Sequence, residues 1–225
     1  MFVKTTKETI MTYLQLVNKV LIRLREDEVS SVNENNYSKL IGEFVNDALR
    51  QVEDAWDWSS LRSTITANTQ EGVFNYILTG SGNNSRILDV VNDTSNIFMN
   101  YETQSWFNNA YLNREIEDGA PRYYTFNGVD DNGDTTVDIY PIPDGSYALR
   151  FNLVLRTKQL LNDSDNVTIP HLPVIHLAVA LATRERGESG AQSTPELIYT
   201  ADRTLSDAIS LDALKHPEET IFYVG

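Results

Sequence analysis

The sequence predicts an α+β fold: an antiparallel bundle of about four helices, with an antiparallel β-sheet or sandwich region inserted between the second helix and the third. Three observations carry this. Apolar residues recur every three or four positions from Tyr13 to Trp58, the period falls to two from Leu61 to Arg156, and the helical period returns at Leu172. The division that follows is a flexible N-terminal arm at 1–10, a bundle from 11–60 and 168–214, a β region at 61–167, and a terminal arm at 215–225.

The first helix opens on a capping-box pattern, Thr12-x-x-Gln15, and runs through Leu24. Tyr13, Leu14, Leu16, Val17, Val20, Leu21 and Leu24 form its buried side. Lys19, Arg23 and Arg25 stay wet in the later turns, where the helix dipole favours them. Glu26 to Asn35 is a short connection, so the next helix should fold back as a hairpin. That helix, Tyr37 to Trp58, is the organising element. Tyr37, Ile41, Phe44, Ala48, Val52 and Ala55 define its stripe, and Leu40, Val45, Leu49 and Trp56 widen it. At ~1.5 Å per residue it would span about 30 Å. Asn36 or Ser38 can cap it, with Glu43 placed in the first turn to complement the dipole. Its end, Glu53-Asp54-Ala55-Trp56-Asp57-Trp58, sets two large rings among carboxylates. Both rings can close the core, or one can anchor a neighbouring subunit.

Leu61 to Ala67 alternates as a half-buried strand, followed by strands at Val73 to Thr79, Arg86 to Val91 and Ile97 to Thr103. Gln104 to Glu117 is ambiguous, with Trp106, Phe107, Ala110, Tyr111 and Leu112 spaced for a short helix on the sheet. Tyr123 to Asn127 and Val137 to Tyr140 flank Asp130-Asp131-Asn132-Gly133-Asp134, whose Asn-Gly pair suits a type I′ hairpin. Tyr147 to Arg156 completes a meander of short antiparallel strands. Helix returns at Leu172 to Ala182, apolar nearly all round, with Pro173 in the first turn and Gly187 as C-cap. The last helix starts near Thr194 with Leu197, Ile198, Ala201, Leu205, Ala208 and Ile209 as its stripe. The chain then ends in Ile221-Phe222-Tyr223-Val224-Gly225. An apolar terminus of this kind either packs on its own domain or docks on a partner.

Composition narrows the function. With 225 residues the chain can bury a real core, and 41% hydrophobic residues exclude disorder. No apolar run is long enough to span a membrane, and the first residues lack the apolar stretch of a signal peptide. A net charge of −14 argues against gripping nucleic acid, which needs clustered Lys and Arg. It suits a surface past which DNA slides. Catalytic chemistry finds little support. His171, His176 and His216 make no His-Glu-x-x-His pair, and the absence of cysteine removes thiolate zinc sites. The Asp130 loop fails as an EF-hand: starting at Asp130 puts Thr135 in the glycine position and Pro141 in the bidentate glutamate position. No nucleophile elbow, phosphate loop or dinucleotide fingerprint is present. The reading is therefore of a non-enzyme with no metal and no cofactor.

A resemblance adds to this. The order is a helical hairpin, Glu53-Asp54-Ala55-Trp56-Asp57-Trp58, Gly119-Ala120-Pro121-Arg122-Tyr123-Tyr124, then Ile139-Tyr140-Pro141-Ile142-Pro143-Asp144-Gly145. Ile169-Pro170, Leu177-Ala178-Val179-Ala180-Leu181-Ala182 with Arg184-Glu185-Arg186-Gly187-Glu188, and Pro217-Glu218-Glu219-Thr220 follow. Over roughly residues 11–225 the chain resembles the head-to-tail adaptor of short-tailed bacteriophages, also called tail tubular protein A. The resemblance implies a structural protein of the virion neck, assembled in the host bacterial cytoplasm. It further implies a homo-oligomeric ring of twelve copies that conducts DNA without sequence-specific binding. The implied partners are the phage portal protein, the tail nozzle (tail tubular protein B) and a tail fibre, with no membrane. In the family the helical half faces the portal and the β half faces the tail. Carried onto this chain, 215–225 is the docking arm, with Glu218, Glu219, Thr220, Ile221, Phe222, Tyr223 and Val224 as portal contacts. Trp56, Trp58, Trp106, Tyr123 and Tyr124 are the candidates for subunit or tail interfaces, since aromatics are favoured there. Two rival readings stand beside it. One is a carbohydrate- or receptor-binding β module, resting on the loops around Asn83, Asn108 and Tyr123. The other is a hydrolase using dispersed carboxylates such as Glu185 and Asp144.

Overall fold

The computed structural model describes residues 10–113, 115–187 and 194–215. In chain order, β1 (Met11–Thr12) leads into α1 (Tyr13–Arg23) and α2 (Asn36–Asp54), and a single 3-10 turn at Ser59–Leu61 precedes β2 (Arg62–Asn68). Then come β3 (Asn75–Ile77), β4 (Arg86–Asn92), β5 (Ile97–Tyr101), α3 (Gln104–Asn113), β6 (Tyr123–Val129), β7 (Thr135–Tyr140) and β8 (Ala148–Val154). The chain returns through β9 (Asn166–Val167) to α4 (His171–Arg186) and α5 (Thr194–Ala213). Two compact units result, one made of Arg62–Arg156 and the other of the segments on either side of it.

In the helical unit, local hydrogen-bond chemistry decides where helices begin. Thr12 and Gln15 form the reciprocal capping box the sequence predicts: Gln15 N–H donates to Thr12 Oγ1 (3.3 Å) and Thr12 N–H to Gln15 Oε1 (3.0 Å). α2 starts a residue earlier than its apolar period does. Its cap is Asn35, rather than Asn36 or Ser38, because Asn35 Oδ1 accepts the Ser38 N–H (2.8 Å) and Ser38 Oγ accepts the Asn35 N–H (3.2 Å). With that start the first turn holds no acid, and Glu43 lies two turns in, too far to complement the dipole. α2 also stops at Asp54; Ala55 to Trp58 leave the helix. Beside the predicted pattern, β1 pairs antiparallel with β9, a two-residue contact too short to show as alternation.

α4 packs between α2 and α5, as expected for a helix apolar nearly all round, and Gly187 ends it at φ 64° in the left-handed region. α1 and α2 come together at Gly42, where an added Cβ would sit 2.8 Å from Val32 Cγ1 and closer still to Tyr13 Oη. The connection between them is held by Asn18, whose side chain exchanges two 2.9 Å hydrogen bonds with the Val29 backbone. Arg186 at the end of α4 pairs with Glu26 (2.6 Å) and lies 4.6 Å from the centre of the Tyr37 ring.

The β unit departs from a meander. Its order is β2-β8-β4-β5-β6-β7-β3, so the last strand in sequence lies between the first and the third. β8 brings Leu149, Phe151 and Leu153, all buried, and needs a neighbour on each edge to hide its backbone. β5 and β6 run parallel through Asn100↔Tyr123 and Tyr101↔Tyr124. A parallel pair needs a crossover rather than a hairpin, and α3 occupies that crossover. The Asn-Gly pair does not make a two-residue type I′ turn. The β6 and β7 register closes at Val129↔Thr135, leaving a five-residue loop from Asp130 to Asp134 in which Gly133 takes φ 82° and Asn132 keeps negative φ. Asp130 explains the difference, because its carboxylate accepts the N–H of Asn132 (2.9 Å) and of Asp134 (2.8 Å) and folds the loop around itself.

Candidate functional site

Among the described residues of the helical unit two carboxylates are buried, Glu53 and Asp212, and the second stands where the stripe of α5 calls for an apolar residue. Ala201, Leu205 and Ala208 continue at the same spacing into Asp212, which is 5% exposed. Its carboxylate gathers donors from the corner after α2. Oδ2 accepts the Ser59 N–H (2.9 Å) and the Trp56 Nε1–H (3.2 Å), while Oδ1 accepts the Ser59 hydroxyl (2.8 Å) and the Lys215 ammonium (2.9 Å). Burial pushes this carboxyl up, but the Ser59 amide, the Lys215 ammonium and the Ser59 hydroxyl together outweigh it and hold it below the usual carboxylate range. The last turn of α5 is thereby tied to the chain segment that leaves α2. Beside this anchor, Pro170 to Pro173 at the start of α4, Thr204, Asp207, Ala208, Leu211 and Asp212 of α5, and Lys215 just beyond it border an open groove of about 260 Å³. Leu172 and Leu211 on its walls are 48% and 67% exposed.

The five aromatic candidates separate. Trp58 is 1% exposed and donates Nε1–H to the Val52 carbonyl (2.8 Å), so its ring closes the bundle core of its own unit. Trp56 keeps 37% of its surface exposed, held in pose by Asp212. In the β unit Tyr123 and Tyr124 are adjacent on a strand and therefore face opposite sides of the sheet. Tyr123 joins Trp106 (4.8 Å between ring centres), which meets Tyr140 edge-on at 5.7 Å over the buried Phe107. Tyr124 instead enters the main β core with Val90, Met99, Ile139 and Phe151. At that core's rim Tyr101 lies 5.7 Å from Tyr124 and 5.8 Å from Phe126, and both rim rings remain open to solvent. Tyr101 and Phe126 thus form the exposed aromatic patch that their buried neighbour was expected to supply. The portal-contact candidates Glu218, Glu219, Thr220, Ile221, Phe222, Tyr223 and Val224 lie outside the described residues, as does His216.

Chemistry beyond packing is sparse. Among the described residues no group of three His, Asp or Glu is placed to hold a metal ion. Asp130 and Asp134 are engaged by turn amides, Asp134 accepting from Gly80 (3.0 Å) and Gly82 (2.9 Å). His176 is half-buried with Nδ1 3.4 Å from Thr204 Oγ1; burial, and then the Arg23 charge, push its pKa down. Glu185 and Asp144 fall in different units, and Asp144 is taken by the Tyr147 hydroxyl (2.5 Å).

The sequence did carry a signal for Asp212, an acid at the next step of an apolar stripe. What it lacked was the partner, since Ser59 is 153 positions away. Leu172, Leu211 and Lys215 gave no signal, because a groove is a property of two helices packed together.

A family model described as SU10 adaptor protein matches residues 11–210. The match begins at β1 and ends inside α5. A search of curated proteins gives no match.

Proposed function

This chain belongs to the SU10 adaptor protein family, and from that premise we propose a specific place for it within the virion. The family role itself is structural: the chain is a head-to-tail connector of a bacteriophage particle, without catalytic function. The expectation drawn from the head-to-tail adaptor resemblance is met by this membership.

The proposal is a ring of twelve copies in the neck, assembled in the host cytoplasm, with the portal protein above it and the tail nozzle (tail tubular protein B) and a tail fibre below. The helical unit faces the portal and the β unit faces the tail. Residues 215–225 form the docking arm, with Glu218 to Val224 meeting the portal, and Trp56, Trp106 and Tyr123 serve contacts between copies or with the tail. The N-terminal arm expected at 1–10 lies, apart from Ile10, outside the described residues. The supporting observation is surface that one copy leaves open: Trp56, Leu172, Tyr199, Leu211 and Leu214 on the helical unit, and Phe98, Tyr101 and Phe126 on the β unit. A charge of −14 suits a lumen through which DNA passes without sticking, because holding phosphates takes basic side chains.

The test is an electron-microscope image of the protein mixed with the portal of the same virion. Rings seated on the portal are expected from the unsubstituted chain. None are expected from a variant carrying Ile221→Ser, Phe222→Ser and Tyr223→Ser whose circular dichroism is unchanged. Portal-bound rings formed by that variant would remove the arm assignment.

A further inference from the structure

Two Asn-Gly pairs stand close together in one hairpin, Asn127-Gly128 within β6 and Asn132-Gly133 in the loop that follows it. The side-chain carbonyl carbon of an asparagine is open to attack by the amide nitrogen of the next residue. Glycine lets that nitrogen come nearest, because it has no Cβ in the way. Both asparagines meet solvent, so exposure does not separate them. Their anchorage does. Asn127 lies between the ladder pairs Phe126↔Val137 and Gly128↔Thr136, where the register shifts. Its Nδ2 donates to Asp138 Oδ1 (3.3 Å), a carboxylate that is 3% exposed and also accepts from Asn75 Nδ2 (2.6 Å). Swinging Asn127 onto the Gly128 nitrogen therefore gives up a bond to a buried charge and disturbs the ladder. Asn132 is held from within its own loop. Its Nδ2 donates to Asp130 Oδ2 (3.1 Å), its N–H to Asp130 Oδ1 (2.9 Å), and the Gly133 N–H to the Asp130 carbonyl (3.0 Å). Bonds in an exposed turn of this kind open at far lower cost than those of a sheet.

We propose that Asn132 is a spontaneous modification site of the folded chain, deamidating through a cyclic imide with Gly133 while Asn127 is spared. The Gly133 nitrogen loses its proton to solvent base and bonds to Asn132 Cγ. The Cγ–Nδ2 bond breaks, and the side-chain nitrogen takes up a proton and leaves as ammonia. Water, the one co-reactant, then opens the ring at either carbonyl to give aspartate or isoaspartate. Either product adds a negative charge beside Asp130 and Asp134. Isoaspartate also adds a carbon to the main chain between these two residues, which close the loop by Asp134 N–H to Asp130 Oδ1 and Asp130 N–H to the Asp134 carbonyl, both 2.8 Å. Asp134 accepts in turn from the Gly80 and Gly82 amides, so the longer form loosens that grip. None of this rests on the place of the chain in the virion.

The test holds the full-length chain in mildly alkaline buffer made with heavy-oxygen water, once folded and once unfolded in urea. Peptide mass spectrometry then follows both asparagines. Each conversion swaps an amide for an acid and takes one oxygen from the labelled water, which marks it apart from conversion during digestion. In urea the two pairs have only their sequence neighbours and should convert at comparable rates. In the folded chain Asn132 should convert at least roughly tenfold faster than Asn127, the factor that one hydrogen bond to a charged acceptor contributes. Asn127 keeping pace with Asn132 in the folded chain overturns the proposal. So does an Asn132 that stays intact over the time in which the unfolded chain converts. The loosening is read by hydrogen exchange at the Gly80 and Gly82 amides, which should be faster in the isoaspartyl fraction than in Asn132→Asp, a variant that adds the charge alone. Equal exchange in the two overturns the loosening and confines the modification to its charge.

Discussion

Replacing Asp212 separates a satisfied carboxylate from a merely buried one. In Asp212→Ala the Ser59 N–H and the Trp56 Nε1–H lose their acceptor, as does the Ser59 hydroxyl. Hydrogen bonds to a charged acceptor are worth ~1.5–3 kcal/mol each. The Lys215 pair adds almost nothing, because the Lys215 side chain is 64% exposed. Water reaches part of the Trp56 ring and recovers some of its loss, so the expected cost is about 3 kcal/mol. Asp212→Asn keeps one oxygen for the Ser59 and Trp56 donors. Its amide group faces the Ser59 hydroxyl, which rotates to accept, leaving a cost of about 1 kcal/mol. Urea unfolding followed by helical circular dichroism reads both. The alanine variant should shift the midpoint down by ~1–2 M at unchanged slope, and the asparagine variant by about a third of that. The sign of the pH dependence follows from the lowered folded pKa. Such a carboxyl stabilises the fold above its unfolded value and loses that contribution as pH falls through the folded one. The gap between the native chain and Asp212→Asn should hold from pH 7 down to about 4 and narrow only below that, as pH falls towards the lowered folded value. If asparagine costs as much as alanine, or alanine costs under about 1 kcal/mol, the hydrogen-bond account is wrong.

Gly42→Ala should destabilise by about 1–2 kcal/mol despite a gain in helix propensity, because the new methyl meets Val32 and Tyr13. Tyr13→Phe in the same chain should return part of that loss by removing the hydroxyl nearest the methyl, and thermal melts of the two single variants and the pair check this. Trp58→Ala should cost ~3–5 kcal/mol and depress the yield of folded chain before any assembly is attempted. Trp56→Ala should cost far less in the same melt; equal costs would show that the exposed ring carries as much of the fold as the buried one.

Residues close together in the chain differ sharply in how much surface they leave open. Trp56 and Trp58 read alike in sequence, two rings at the end of one predicted helix. Leaving the helix after Asp54 turns one to the core and the other outward. Tyr123 and Tyr124 also read as a pair, and the pleat of β6 sends them to opposite faces. Phe126, two residues beyond Tyr124 and on its face, reaches the rim that Tyr101 shares.

Some features were legible because their causes lie within a few residues. The Thr12 and Gln15 capping box, the left-handed Gly187 after α4, the apolar period of α1, α2, α4 and α5, and the shift to period two after Leu61 all follow from short-range hydrogen bonding and side-chain direction. The family order of motifs was legible for the same reason, since each motif is a local string. Tertiary structure alone decided the strand order, the parallel pairing of β5 with β6, the partners of Asp212 and the groove beside it. Each of these joins backbone or side chains far apart in the chain. Apolar alternation tells a strand which face to bury, yet leaves open which edge it will meet, because every strand edge offers the same N–H and C=O groups.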